Sequence, residues 1–285
     1  VSNKVEKFEN YLMDKVYKIK VSKKDYLKNY LEALKVCCSP INSHDFPGKL
    51  ILAKKTNMTR SKAIFGGDGA DEFFGGYSTY TQKIKKIKEN NSNYTKIIKP
   101  KLFDKADSKT NNYSKKINSE WKSCLKAYNF IKNRDERNRL AMMLMDCAIQ
   151  LPSVGLRGCD LMSMNHSVEP RSVFLRKPLM KFALNLPLKF KLKIKKNGNS
   201  ETKILLKKLY LRYFPKKLLY KKQGFSGFPN EMGKFLGTFN KFKINKLLKV
   251  KNFDKKIRLV DNAEMWKIFN LEFFLRESIK GNFNK

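Results

Sequence analysis

Three carboxylates sit inside one glycine-rich turn. The stretch Ala63-Ile-Phe-Gly-Gly-Asp-Gly-Ala-Asp-Glu-Phe-Phe-Gly-Gly-Tyr77 opens as a short apolar strand and turns through glycine. It closes on aromatic residues and a second glycine pair. Gly66, Gly67 and Gly69 carry no Cβ where the chain must bend sharply or let a ligand approach its backbone. Asp68, Asp71 and Glu72 place acids beside that bend. A bare phosphate would be repelled there, whereas a metal bound to a polyphosphate, or an amine, would be attracted. An ordinary strand also passes into a helix through such a turn with its acids in water, so the turn alone leaves both readings open.

Two further blocks narrow the choice. From Leu151 the chain reads Leu-Pro-Ser-Val-Gly-Leu-Arg-Gly-Cys-Asp-Leu-Met-Ser-Met-Asn-His-Ser-Val-Glu-Pro-Arg-Ser-Val-Phe-Leu175. Later come Lys203-Ile-Leu-Leu, Phe214-Pro, Lys221-Lys-Gln-Gly-Phe225 and Pro229. In this order the three blocks resemble the synthetase domain of the glutamine-dependent asparagine synthetase family, part of the ATP pyrophosphatase (PP-loop) group. That family carries Ser-Gly-Glu/Asp-Gly-Ala-Asp-Glu and Phe-Gly-Gly-Tyr. Its middle block is Asp-x-Met-Ser-Met-x-x-Ser-x-Glu-x-Arg-x-Pro-Phe-Leu-Asp and its late block Lys-x-Gly-Phe. The resemblance covers nearly the whole chain, through Trp266 to Arg276, which looks like the family's closing helix.

The resemblance implies an α/β fold: a partial adenine-nucleotide alpha-hydrolase-like parallel sheet followed by a mainly helical C-terminal region. It implies ATP and magnesium (Mg2+) as cofactors and a small carboxylate substrate, aspartate or a sugar or other acid. ATP would activate the carboxylate as an acyl-adenylate, and ammonia drawn from glutamine would attack it. Such chemistry needs cations around the phosphates and acids for the substrate amine. By the resemblance, Asp71 matches the acid that binds magnesium at the pyrophosphate, and Asp68 the acid beside the substrate. Lys222 matches the late lysine facing the phosphates; only its Lys-Gln-Gly-Phe context separates it from the many surface lysines. By the same resemblance Gly66, Gly67 and Gly69 would line the nucleotide. Glu169 and Arg171 form the middle block's Glu-x-Arg, and Arg157 lies one position out of register with a family cation. Read from the residues alone, Glu169 and Arg171 could equally be a structural ion pair at a helix end, with Pro170 favouring extended backbone between them. Asp160 and His166 are expected to orient the block.

The chain also departs from the family. Gly66 stands where serine is usual, Val173 where proline is usual and Arg176 where aspartate is usual. The first change removes a hydroxyl and the last reverses a charge, which suits a relative amidating another carboxylate, for example in surface-polysaccharide biosynthesis. The family's ATP loop, Ser-Gly-Gly-x-Asp-Ser, does not occur in the 285 residues. The expectation is therefore the C-terminal part of a longer, split or decayed enzyme. A separate or upstream segment would supply the loop and the glutaminase. The alternatives are a noncatalytic degenerate subunit and a basic nucleic-acid-binding module.

Composition bounds these readings. The formal charge of +37 would attract polyanions. Lysine is spread along the whole chain, however, and the aromatics recur at helical core spacing, so nucleic acid is not the expected partner. No run of eighteen apolar residues predicts a membrane span, and no signal peptide is visible. Cys37, Cys38, Cys124, Cys147 and Cys159 fit no zinc spacing and read as five reduced thiols in a cytoplasmic protein. Only His44 and His166 are present, which leaves little for a histidine-based site.

The elements that must position the turn follow from periodicity. Val5, Phe8, Leu12 and Val16 predict an amphipathic first helix. Ser22 and Asp25 predict a helix start, with Leu27, Leu31 and Leu34 on one face. Pro40 to Gly48 reads as a loop, and the run from Leu50 as a helix leading to a strand at Lys62 to Phe65. The turn then lies at the C-terminal end of that strand, where open α/β sheets bind ligands. Residues 1–80 are expected to form the partial α/β core, residues 81–125 a lysine- and asparagine-rich insertion, and residues 126–285 the helical remainder. Asp135 to Gln150 predicts one helix with its methionines and leucines in the core. Beyond Lys177 the pattern is mainly helical, broken at Pro187, Asn197-Gly198, Pro215 and Gly224.

Overall fold

The structure, a computed structural model, describes residues 11, 18–41, 43–81, 108–194, 200–220 and 262–279. The chain forms two compact units. One gathers Val1–Lys18, Phe65–Leu156 and Arg171–Lys222; the other gathers Ile19–Ile64, Arg157–Pro170 and Gln223–Lys285. The predicted first helix falls outside the described residues, apart from Tyr11.

In the second unit, helix α1 (Lys23–Cys37) starts where Ser22 and Asp25 place it. The Ser22 hydroxyl accepts the Asp25 N–H at 3.1 Å, and the Asp25 carboxylate accepts the Ser22 N–H. The buried face differs from the leucine row: Tyr26, Tyr30, Ala33, Leu34 and Cys37 are buried, while Leu31 is exposed. Aromatic rings bury more apolar area than leucine, provided their hydroxyls find acceptors. Here Tyr26 Oη donates to the His44 carbonyl at 2.7 Å and Tyr30 Oη to Asn270 Oδ1 at 2.9 Å. Helix α2 (Phe46–Met58) begins inside the expected loop, with Pro47 in its first turn, where a missing N–H costs no hydrogen bond. Ile41 N–H donates to Asn270 Oδ1 at 2.9 Å and Asn270 Nδ2 donates back to the Ile41 carbonyl. Asn270 lies on the closing helix, Asn262–Ile279.

Strand β1 (Ala63–Gly66) pairs with β2 (Glu169–Ser172) in a parallel two-stranded sheet, and Glu169 N–H donates to the Lys62 carbonyl at 2.8 Å. The protein is thus mixed α/β and mainly helical. Glu169 and Arg171 lie on a strand, not at a helix end, because Pro170 holds the backbone extended. Helix α3 (Arg157–Met164) packs on α1 and α2 within its unit. Its Gly158 allows the approach: a Cβ there would lie 2.1 Å from Cε1 of the fully buried Phe46.

In the first unit, helix α4 (Ala70–Phe74) follows the glycine turn. Helices α5 (Ser108–Ala127) and α6 (Arg134–Met145) build a core with Tyr80, Trp121, Leu140, Met142, Met143, Met145 and Leu192. Asn133 caps α6 by accepting the Glu136 N–H at 3.0 Å. The single helix expected over Asp135 to Gln150 is instead two. After Met145 the coil widens to a π-helix, Asp146–Leu156, with Pro152 inside it. Proline lacks the N–H that regular α-helical bonding needs, and a wider turn accommodates it. Helices α7 (Lys177–Asn185) and α8 (Leu188–Lys191) come next, then an antiparallel pair, β3 (Leu192–Ile194) and β4 (Ser200–Thr202). The helical pattern did not foresee that pair. Its local signal is Asn197-Gly198, a favoured hairpin dipeptide, which lies outside the described residues. Helix α9 (Ile204–Tyr213) ends the stretch.

Candidate functional site

The turn at the end of β1 sorts its glycines by need. Gly69 has φ +89°, and a Cβ there would lie 2.9 Å from Leu175 Cδ2. Only glycine meets both demands. A Cβ on Gly67 would meet nothing within 4 Å, so this side of the backbone is open. A Cβ on Gly66 would lie 2.8 Å from Asp68 Oδ2, so the Asp68 carboxylate uses the room a serine would take. The same oxygen accepts from Ser172 Oγ, at the end of β2, at 3.4 Å.

The three acids part company in the structure. Asp71 Oδ1 lies 3.0 Å from Lys203 Nζ, and both side chains are about a quarter exposed (24% and 25%). Glu72 turns the other way. It is 4% exposed and accepts from Tyr77 Oη at 2.6 Å, and burial raises its carboxyl above the ordinary glutamate range. Glu72 is therefore a core group, while Asp68 and Asp71 belong to the turn. The sequence blocks flagged Lys203 without giving it a role; the structure places its ammonium against Asp71. Lys203 precedes α9 with φ 53° and ψ 40°, a left-handed conformation that lysine adopts at a cost.

The other candidates drawn from the sequence divide between the two units or lie outside the described residues. Arg157, at the start of α3, directs Nη2 to the Cys37 carbonyl at 3.2 Å and to Ser39 Oγ at 3.1 Å, closing the end of α1. Glu169 and Arg171 sit two positions apart on β2 and are exposed. His166 Nε2 stands 3.8 Å from Glu32 Oε1. Lys222 lies outside the described residues. Arg157 and Glu169 belong to the second unit and Asp68, Asp71, Arg171 and Lys203 to the first.

Behind the turn lies a polar group that sequence reasoning missed. Tyr80 Oη donates to Asp146 Oδ2 at 2.5 Å, and buried Arg139 donates to the Tyr80 carbonyl and to Asp135 Oδ2. Lys191 is buried too, and burial pushes its ammonium down to about 8. The thiol of its neighbour Cys147 is pushed up by burial to about 12. All five cysteines are free thiols, as expected. Lysine is abundant along the chain, so nothing local marks Lys191 as a lysine that packs inside.

No cluster of three or more His, Cys, Asp or Glu side chains that could hold a metal occurs among the described residues. The turn offers two carboxylates, those of Asp68 and Asp71. Donors so few fit magnesium carried in on a polyphosphate, whose oxygens and waters would complete the octahedron; they do not fit an ion caged by protein alone.

A family model described as Asparagine synthase matches residues 5–271. The chain belongs to this family. No curated protein matches the chain. The turn, the middle block and the Lys203 block all fall inside this one match to a family of ATP-dependent, amidotransferase-like synthetases. Among the described residues of this family member, no helix is long and apolar enough to cross a membrane.

Proposed function

We propose that this asparagine synthase family chain supplies the substrate-and-pyrophosphate half of an ATP-dependent amide-forming site, on a PP-loop-like α/β framework. The observation that carries this reading is the Asp71–Lys203 pair at 3.0 Å, beside the open glycine turn at the C-terminal end of β1. In the reaction, an oxygen of the substrate carboxylate attacks the α-phosphorus of ATP and the bond to pyrophosphate breaks. Ammonia then attacks the acyl carbon and AMP leaves.

Asp68 would hold the substrate amine, its carboxylate kept in place by Ser172 and by the absence of a side chain at Gly66. Gly67 would let the nucleotide approach the backbone. Asp71 would hold magnesium on the pyrophosphate; that ion, when bound, neutralises charge on the phosphates. Lys203 and Lys222 would stabilise the departing pyrophosphate as ammonium groups. Arg157, Glu169 and Arg171 are assigned to the nucleotide by the family pattern. The partner is a segment carrying Ser-Gly-Gly-x-Asp-Ser, whose backbone N–H groups would cradle the phosphates.

Purified chain, given ATP, ammonia and aspartate, is expected to release no pyrophosphate by itself. It should do so once a polypeptide carrying the loop is added or fused ahead of it, and Asp71→Asn should abolish the activity. Aspartate-dependent turnover by the 285 residues alone, or turnover untouched by Asp71→Asn, would refute the assignment.

A further inference from the structure

We propose that Lys203 is a resident counter-ion for Asp71, forming an ionic latch seated on Gly76. Magnesium together with a polyphosphate opens the latch, and the Lys203 ammonium passes from carboxylate to phosphate. The proposal rests on the reading of Asp71 as the metal-binding acid.

Three observations point to it. The pair is short, at 3.0 Å, yet each side chain is about a quarter exposed (25% and 24%), so a ligand can reach it. The pair also lies directly on glycine backbone. A Cβ on Gly76 would come 1.8 Å from Asp71 Oδ1 and 2.4 Å from Lys203 Cε. The Gly76 N–H donates to the Asp71 carbonyl at 2.8 Å, which holds the seat and the acid in one register. Finally, Lys203 keeps a left-handed backbone, φ 53°, at the head of α9. Strain of that kind persists where the surroundings over-determine it, and a glycine would relieve it.

The exchange follows from charge. In the closed latch the Asp71 carboxylate already has a cation. A divalent ion arriving alone must displace that ammonium or sit beside it, and a polyphosphate arriving alone must pull the ammonium from its carboxylate. Arriving together, the ion takes the carboxylate and the phosphate oxygens take the ammonium, so neither Asp71 nor Lys203 is left without an opposite charge. Metal and polyphosphate therefore bind cooperatively, and by linkage each raises the affinity for the other by the same factor.

The test is calorimetric binding of Mg2+ alone, inorganic pyrophosphate alone and both together to the full chain. Lys203→Met should tighten Mg2+ alone by roughly twofold to fivefold, the worth of a partly exposed ion pair. It should also weaken magnesium pyrophosphate by at least as much and remove the cooperativity. Lys203→Gly relieves the backbone strain and gives the same result in a variant that keeps its fold. Gly76→Ala leaves both charges present and should lower the cooperativity by unseating them; unchanged cooperativity there overturns the seat. If neither lysine variant binds Mg2+ more tightly while Asp71→Asn abolishes Mg2+ binding, the latch fails and the reading of Asp71 stands. If Asp71→Asn changes nothing, or no protein in the set binds Mg2+ or magnesium pyrophosphate, the reading of Asp71 fails and takes the latch with it.

Discussion

Replacing Lys191 with methionine should stabilise the protein at neutral pH, and the gain should disappear as the pH is raised. Lys191 ends α8 at 1% exposure, packed where a Cβ on Gly75 would meet its own Cβ at 3.4 Å. Burial drives its ammonium from 10.5 down to about 8. Cys147 gives no compensating charge at neutral pH, because its thiol is pushed up to about 12. The folded-state value lies below the unfolded one, so the unfolded chain holds this proton more tightly. Stability from this group is then complete above 10.5 and is lost as pH falls through about 8. A gap of 10.5 minus 8, at about 1.4 kcal/mol per unit, gives roughly 3 kcal/mol as the cost of the buried ammonium at pH 7. Methionine matches the length and apolar stem, and such swaps cost under about 1.5 kcal/mol, which leaves a net gain of about 2 kcal/mol. Urea unfolding of both proteins from pH 7 to pH 10.5 reads it. The quantity to follow is the difference between them. Cys37 and Cys124, each raised to about 11, pull the other way in both proteins as pH climbs past 9, and the subtraction removes them; Cys147 interacts with the Lys191 charge, so its share differs between the two proteins and is felt only toward its own value of about 12. A Lys191→Met protein less stable than the parent at pH 7, or a difference constant across the range, refutes the reasoning.

Gly158→Ala should destabilise the fold by about 1–2 kcal/mol, although alanine is the better helix former, because its Cβ would overlap the buried Phe46 ring at 2.1 Å. Adding Phe46→Leu should return part of the loss in the same denaturation assay. Glu72→Gln keeps an acceptor for Tyr77 and removes a buried carboxylate. The folded Glu72 is raised, so its contribution is whole below the unfolded value and is lost as pH rises through the folded one. The variant should therefore exceed the parent in stability at pH 7 and match it near pH 4, as thermal melts at the two pH values would report.

Short-range features were legible in the sequence. Ser22 with Asp25 carries its helix start in a hydrogen bond three residues long; the Asn133 cap of α6 is equally local, although the sequence reading did not single it out. The strand before the turn and the left-handed Gly69 follow from apolar residues running into glycine. The ordered blocks carried the family. Even some local choices were misjudged: packing put Tyr26 and Tyr30 beside Leu34 on the buried face of α1, and the coil expected to stay one helix widens into a turn that holds Pro152.

Sequence alone determined the turn, its acids and the elements on either side, since periodicity, caps and glycine conformations act over a few residues. Spacing alone left Asp68, Asp71 and Glu72 equivalent as acids, and only the family resemblance gave Asp71 and Asp68 separate roles. Tertiary structure sent Glu72 inward to Tyr77 and gave Asp71 a lysine more than a hundred residues away. It also chose Lys191 from among many lysines to be buried. Those outcomes depend on which surfaces meet when the chain packs. A charge is decided by what surrounds it, and its surroundings are supplied by residues distant in the chain.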